Sequence, residues 1–400
     1  MIRIQKKLVL FGAGKIGRSF IGQVFSRSGY EVVFVDINQQ VIDKLNECRQ
    51  YKVIVKSREK NETILITNVR GIHLSQVEKV TEELACASIA ALSVGQQGLP
   101  AALPLIAKAL VLRKQKYDEW PLDIIIAENM RNADQYIRTE LIKLLPEDYP
   151  HDKLVGLVET SIGKMVPIMT QKDMEEDALQ VFAEQYNSLI VAKNSFKNPI
   201  SDVSYLSPKE NIKAWVDRKL FIHNLGHATA AYLGFRKNPN WVFMYEVLND
   251  PEIHEATRQT MLQSADILTS LYPEEFTRSQ LEVHINDLLE RFQNKALGDT
   301  LFRIGCDLQR KLSAEDRLAI AIHVARDMKL PYHLILKALV SGCHFMATDE
   351  HGNRLTSDHE FDLIYAKGIK KVLTSISGFD EVIDHEVIAE AIALDNSLKL

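Results

Sequence analysis

Leu8-Val-Leu-Phe11-Gly12-Ala13-Gly14-Lys15-Ile16-Gly17, followed by Glu31-Val-Val-Phe-Val-Asp36, decides the fold of the first half of the chain. The apolar run Leu8 to Phe11 reads as a strand, the glycines as a tight turn, and the spacing of Ile16, Phe20, Ile21, Val24 and Phe25 as a helix. Glu31 to Asp36 reads as the next strand. In such a unit Gly12 permits the turn, Gly14 lets the backbone approach a pyrophosphate, and Gly17 allows the helix to pack closely on the strand. The phosphates then rest on the helix N-terminus, where unpaired N–H groups and the positive end of the dipole coincide. Asp36 stands where a carboxylate accepts the hydroxyls of an adenosine ribose. The pattern predicts a dinucleotide site built from Gly12, Ala13, Gly14, Ile16, Gly17, Asp36 and Asn38. The carboxylate would repel the 2′-phosphate of NADP and no adjacent Arg offers to receive it, so the expected cofactor is NAD. A second reading of Asp36, as a strand-end acid capping the following helix, stays open.

Thr63 to Thr67, Ile89 to Val94, Leu122 to Ala127 and Leu154 to Glu159 are further strand candidates. They alternate with helical stretches such as Ala101 to Leu112 and Asn132 to Leu145. Such alternation builds a parallel, doubly wound sheet whose ligand crevice lies beyond the carboxyl ends of its strands. Two strand ends there are candidates for contact: Ser93-Val94-Gly95, with Val94 as a wall on the nicotinamide side, and Glu128-Asn129-Met130. Asn194 to Pro208 is rich in Pro, Ser and Asn and reads as a linker. Beyond it long amphipathic stretches take over: 211–233, 252–271, 300–327, 331–346, 358–374 and 385–393. The expected class is α/β, with a Rossmann-type sheet over 1–200 and a mostly helical domain over 201–400.

Composition narrows the function class. The 400 residues are 46% hydrophobic, enough for two cores, and the formal net charge of −5 argues against a nucleic-acid surface. No apolar run reaches the length of a membrane span, and the apolar start is too short for a signal-peptide core, which points to a cytoplasmic enzyme. Cys48, Cys86, Cys306 and Cys343 are scattered, without the spacing of a metal site or disulfide framework. His254-Glu255 opens like a zinc-protease helix, but Arg258 occupies the place of the second ligand, and no metal is expected.

The first of the later stretches carries Lys219-Leu-Phe-Ile-His-Asn224-Leu-Gly-His227. On a regular α-helix Asn224 lies ~140° round from Lys219 with His227 between them. Chemistry on an alcohol or ketone needs a group to move the hydroxyl proton, a donor for the oxyanion and a partner to hold the substrate oxygen. Lys219, Asn224 and His227 supply that set. The same residues would equally furnish a solvated helix face. A lysine at its ordinary pKa of ~10.4 is a poor base near neutrality, so the catalytic reading requires Lys219 to be desolvated or set beside other donors.

Over nearly its whole length the chain resembles the polyol-specific long-chain dehydrogenases, most closely their bacterial mannitol-1-phosphate 5-dehydrogenase branch. The matching stretches are Phe11 to Arg18, Glu128-Asn129-Met130, Asp217 to Phe221 with Asn224 to Gly234, and Arg310 to Leu318. The resemblance implies metal-independent hydride transfer between NAD and a sugar alcohol or its ketose. It makes Lys219 the general acid-base, Asn129 and Asn224 the oxyanion donors, and His227 a residue that orients substrate. Two stretches depart from the pattern. Ile162-Gly163-Lys164-Met165 stands where relatives carry Val-Asp-Arg-Ile, and Gly305-Cys306-Asp307-Leu308 where close relatives carry Gly-Arg-x-Pro. A Lys does not reproduce the bidentate fork of an Arg. Lys164, Arg310 and Lys311 are the candidates for a substrate phosphate or carboxylate.

Three readings follow: a dehydrogenase interconverting mannitol 1-phosphate and fructose 6-phosphate; the same chemistry on another polyol or hexuronate; and a non-catalytic NAD-binding sensor. A short-chain dehydrogenase would need Tyr-x-x-x-Lys on a helix, and the only match, Tyr205 to Lys209, contains Pro208. Oligomeric state is left open.

Overall fold

The computed structural model describes residues 5–117, 120–199 and 203–399. The chain divides into two compact units, Met1–Val216 and Asp217–Leu400. Among the described residues no helix is long and apolar enough to cross a membrane.

The first unit contains β1 (Gln5–Phe11), β2 (Glu31–Asp36), β3 (Gln50–Val55), β4 (Glu62–Thr67), β5 (Val69–His73), β6 (Ala87–Leu92), β7 (Leu122–Ile126), β8 (Val155–Ser161), β9 (Val181–Ala183), β10 (Leu189–Ala192) and β11 (Leu206–Lys209). Eight of them form one sheet in the order β11-β10-β8-β7-β6-β1-β2-β5. It is parallel except where β10 runs against β8. Both faces are covered. Val9, Phe11, Val33 and Val35 enter one core with the helices Val77–Cys86 and Leu99–Tyr117, and the alternate residues Leu8, Leu10, Val32 and Phe34 enter the other. Burial on both sides is why these strands are continuous apolar runs with no polar alternation.

Four expectations need correction. Thr63 to Thr67 is a strand, but in a separate sheet of three, antiparallel to β3, which the sequence reading missed. The expected linker ends in β11, a strand parallel to β10. Pro208 is tolerated there because an edge strand has one side on which no amide is needed. In the second unit the stretch 300–327 is broken into the helices Leu301–Gly305, Leu308–Lys311 and Ala319–Asp327, with Asp307 in the left-handed region at φ 70°. The stretch 358–374 is likewise split into Thr356–Tyr365 and Ile369–Ser375 at Gly368, φ 96°.

The free edge at β5 is occupied by a side chain. Asn46, on the helix Gln39–Cys48, donates from Nδ2 to the Gly71 carbonyl and accepts the Gly71 amide on Oδ1, both at 2.9 Å. The segments Ile212–Arg218, Lys219–Asn224 and Leu225–Lys237 follow one another without a break, and in the second unit the last of them packs on the helix Pro251–Leu271. A Cβ on Gly226 would come within 2.5 Å of Met261 Sδ, so the glycine sets how closely those two helices approach.

Candidate active site

The glycine turn in the first unit is tied down from several sides. Gly12 has φ 99°, donates its amide to the Val35 carbonyl at 2.8 Å, and would place a Cβ 2.1 Å from the Ser93 carbonyl oxygen. A Cβ on Gly17 would lie 2.1 Å from the Gly12 oxygen. Gly14 differs, since nothing stands within 4 Å of the position its Cβ would take. Two glycines are therefore demanded by the fold, while the third leaves backbone open to a ligand. After an α-helical start at Lys15 and Ile16 the helix widens: Gly17–Gly22 is a π-turn. Arg18 on that turn, buried and with its pKa lowered by burial, donates from Nε to the Ala13 carbonyl at 2.7 Å and from Nη1 to the Leu179 carbonyl at 2.6 Å. The turn is held by a residue that sequence reasoning did not single out.

Asp36 accepts the Ala13 amide on Oδ2 at 2.6 Å and the Asn38 amide on Oδ1 at 2.8 Å. The cap of the next helix is Asn38, whose Oδ1 accepts the Val41 amide at 3.2 Å. The helix-capping role weighed for Asp36 thus falls to Asn38. Each carboxylate oxygen keeps a second lone pair. An open backbone at Gly14, a helix start behind it and an anchored acid at the strand end fit the pyrophosphate and adenosine ribose of NAD.

The other two strand ends are linked. Glu128 accepts the amides of Val94 at 2.8 Å and Gly95 at 3.2 Å on the same oxygen, and burial raises its pKa. Asn129 is exposed in the loop after β7. That loop leads into Asn132, left-handed at φ 51° before the helix Ala133–Leu144. Glu159, beside Ile126 in the β7–β8 register, takes hydrogen bonds from the Ala133 and Asn132 amides. Its pKa is raised to about 7, first by burial and then by Asp134. Lys164 is buried, with Nζ donating to Asn187 Oδ1 at 2.8 Å and lying 5.1 Å from the Phe20 ring centroid.

In the second unit Lys219 and Asn224 are the ends of a π-turn, where a regular α-helix was expected. A turn closed by i→i+5 bonds brings residue i+5 back near residue i, so Asn224 stands closer to Lys219 in angle than α-helical spacing allows. The widened turn has an outside donor, Ser264 Oγ, which bonds the Phe221 carbonyl at 2.7 Å. Lys219 is partly buried, and its pKa is lowered to about 8, by burial first and by the positive charge of Arg317 second, with Asp316 opposing. The desolvated amine that the catalytic reading requires is present. Arg317 Nη1 also donates to the Asn224 carbonyl at 3.5 Å.

His227 is buried and stacked flat on Phe292, ring centroids 4.2 Å apart. Burial, then Arg303, Arg317, Lys311 and Arg291, drive its pKa far below the ordinary value, so the ring is neutral. The other two anion candidates are already engaged. Lys311 is buried, donates to the Ile304 carbonyl at 2.7 Å, and has its pKa lowered to about 8 by burial and Arg317. Arg310 pairs with Asp307 at 2.5 Å and Asp316 at 3.1 Å. Arg303, Arg317 and Asp299 are the residues near His227 that were missed. Only Arg317 lay in a quoted motif, and nothing in the spacing of the other two marked them.

Residues 6–203 match the mannitol dehydrogenase Rossmann domain and residues 211–397 the mannitol dehydrogenase C-terminal domain. The chain belongs to the mannitol dehydrogenase family. A D-sorbitol dehydrogenase in substrate-free form superposes on this mannitol dehydrogenase family member with a TM-score of 0.78, at 15% identity, over 99% of this chain and 93% of its own. Pseudomonas fluorescens mannitol 2-dehydrogenase, in a ternary complex with NAD and D-mannitol, gives 0.74 at 14% identity, over 99% and 92%. At such identities the two structures establish the fold that the family shares. The residues Tyr205 to Lys209 hold β11 in part, which removes the helical Tyr-Lys pair of a short-chain enzyme.

Proposed function

We propose that the protein is an NAD-dependent, metal-independent oxidoreductase that interconverts a sugar alcohol and its ketose, with mannitol 1-phosphate and fructose 6-phosphate as the pair. The observation that carries the reading is the Lys219 amine, depressed to about 8 beside Arg317 on the π-turn that ends at Asn224. Near neutrality such a lysine exchanges protons readily in either direction. As the amine it takes the proton from the substrate hydroxyl, and as the ammonium it returns one to the carbonyl oxygen. Bound NAD supplies the hydride acceptor, with Gly12, Gly14, Gly17 and Asp36 as the residues that would hold it. Asn224 donates to the substrate oxygen as negative charge develops, and Asn129 is assigned the same role by the family resemblance. His227, neutral and fixed against Phe292, orients a substrate hydroxyl.

The phosphate is supported by the guanidinium groups that bear on His227, namely Arg303, Arg317 and Arg291. A dianion leaves water only for charge-assisted partners. A second reading, an unphosphorylated polyol or a hexuronate, is favoured by the engagement of Lys164, Arg310 and Lys311 with protein groups. NADH oxidation measured side by side with fructose 6-phosphate, fructose, fructuronate and tagaturonate separates the two. A preference for fructose 6-phosphate over fructose of at least tenfold in kcat/KM is expected. Preference for fructose or a hexuronate gives the second reading, and no turnover of any of the four sinks both.

A further inference from the structure

His227 Nε2 and Asp299 Oδ2 face one another at 3.7 Å, and both atoms are buried without a hydrogen-bond partner. Leaving a buried polar atom unpaired forfeits its hydration without a bond in return. Two in one place, one a donor or acceptor by tautomer and the other an acceptor only, need an explanation. Asp299 is not free to turn away. Its backbone carbonyl accepts the Met244 amide at 2.9 Å, it follows Gly298 in the left-handed region, and Thr300 after it caps the helix Leu301–Gly305. Its other oxygen, Oδ1, is taken by Arg303 Nη2. His227 is equally confined, stacked on Phe292 with the planes 2° apart.

We infer that Asp299 is a positioning residue for His227: Oδ2 accepts the proton carried on Nε2 and so holds the imidazole in the Nε2–H tautomer, with Nδ1 left as the acceptor for a substrate hydroxyl. A shift of less than 1 Å turns the present separation into a hydrogen bond of ordinary length. Such bonds are commonly long before substrate is bound. A carboxylate that fixes the tautomer of an imidazole is a recurrent device, because the second nitrogen's role follows from the bond made by the first. The tautomer matters here because the ring is neutral: burial and the charges of Arg303, Arg317, Lys311 and Arg291 all disfavour the imidazolium.

Arg303 makes the inference testable. A guanidinium only donates, so in Asp299→Asn the amide oxygen must stay with Arg303 and the NH₂ group must turn to His227. That group demands a lone pair on Nε2 and moves the proton to Nδ1. Long-range ¹H–¹⁵N spectra of the full-length enzyme labelled in histidine, with His227→Gln for assignment, read the tautomer directly. The wild type should show Nε2–H at His227 and Asp299→Asn should show Nδ1–H. Turnover should fall roughly ten- to a hundredfold, the usual cost of losing a residue that orients a reacting group, with KM for NADH unchanged. A wild type with Nδ1–H, a variant with an unmoved tautomer, or a moved tautomer with undiminished kcat overturns the inference. Should Asp299→Asn fail to fold, the wild-type spectrum decides alone. The role of the pair rests on the activity proposed above. Its geometry does not, so the predicted tautomers in a protein that turns over no sugar would keep the pairing and remove the activity.

Discussion

The Asp36 carboxylate accepts the backbone amide of Ala13 at 2.6 Å, joining the end of the second strand to the middle of the glycine turn 23 residues earlier. The acid that would read the cofactor's ribose therefore also holds the loop that would hold its phosphates.

Because of that double engagement, Asp36→Ser should do two things. Wild type should prefer NAD over NADP by roughly tenfold or more in kcat/KM, about 1.4 kcal/mol, and the variant should narrow that gap by removing a carboxylate from beside the 2′-phosphate. It should also weaken both cofactors through the loosened Ala13 amide. Equal use of the two by wild type, or an unchanged preference in the variant, would remove the selecting role.

The glycines divide into structural and ligand-facing. Gly17→Ala drives a Cβ into the Gly12 carbonyl at 2.1 Å and should destabilise the protein by several kcal/mol. Gly14→Ala has open space and should keep its melting temperature within a degree or two, yet NADH titration should show binding weakened at least tenfold. A Gly14→Ala protein that binds NADH like wild type would mean that the pyrophosphate does not pass there.

Lys219 sets a pH profile with opposite signs in the two directions. With its pKa at about 8, the amine needed for alcohol oxidation grows in as pH rises and levels off above 8, whereas the ammonium needed for ketone reduction is lost over the same interval. Removing the neighbouring cation in Arg317→Met should move both inflections upward. Lys219→Ala should lower turnover by ~10² to ~10⁴ while NADH binding and melting temperature stay close to wild type. Retained activity with lost stability would make the lysine structural.

Glu159 contributes to stability with the sign of a raised carboxyl. Its folded pKa of about 7 stands above the ordinary 4.5, so the stabilisation is complete below 4.5 and disappears as pH rises through 7. The full shift corresponds to about 3 kcal/mol at 1.36 kcal/mol per unit, and its partial exposure to water reduces this to about 1 to 2 kcal/mol. Denaturant melts at pH 5 and pH 8 should show Glu159→Gln losing less stability across that interval than wild type by about this amount. Identical pH dependence in the two proteins would contradict the placement of the carboxylate.

The Rossmann half was legible because its signal is local: Gly12 to Gly17 between two apolar runs needs no distant partner to be understood. The strands β9 and β10 were missed because three and four residues carry too little pattern, and β3 and β5 because Lys52 and Arg70 interrupt their apolar runs. The helical half was legible as helices but not in its breaks, since Asp307 adopts its left-handed conformation without being a glycine. Lys219, Asn224 and His227 could be read from spacing, although the π-turn that brings the first two together could not. Asp299 and Arg303 lie on a different stretch of chain from His227. Only the folded path puts them beside it.

Asn46 reaches the outer side of Gly71 at one border of the eight-stranded sheet, and Pro208 lies in the strand at the other. A border strand with free amides and carbonyls is a template on which a neighbouring molecule can lay its own chain. Here one border spends its donor and acceptor on an amide side chain that mimics a strand but cannot be extended. The other interrupts its donors with a ring. The consequence concerns crowding more than catalysis: Asn46→Ala would leave each molecule correctly folded and yet expose a bonding edge, so its first symptom would be concentration-dependent self-association.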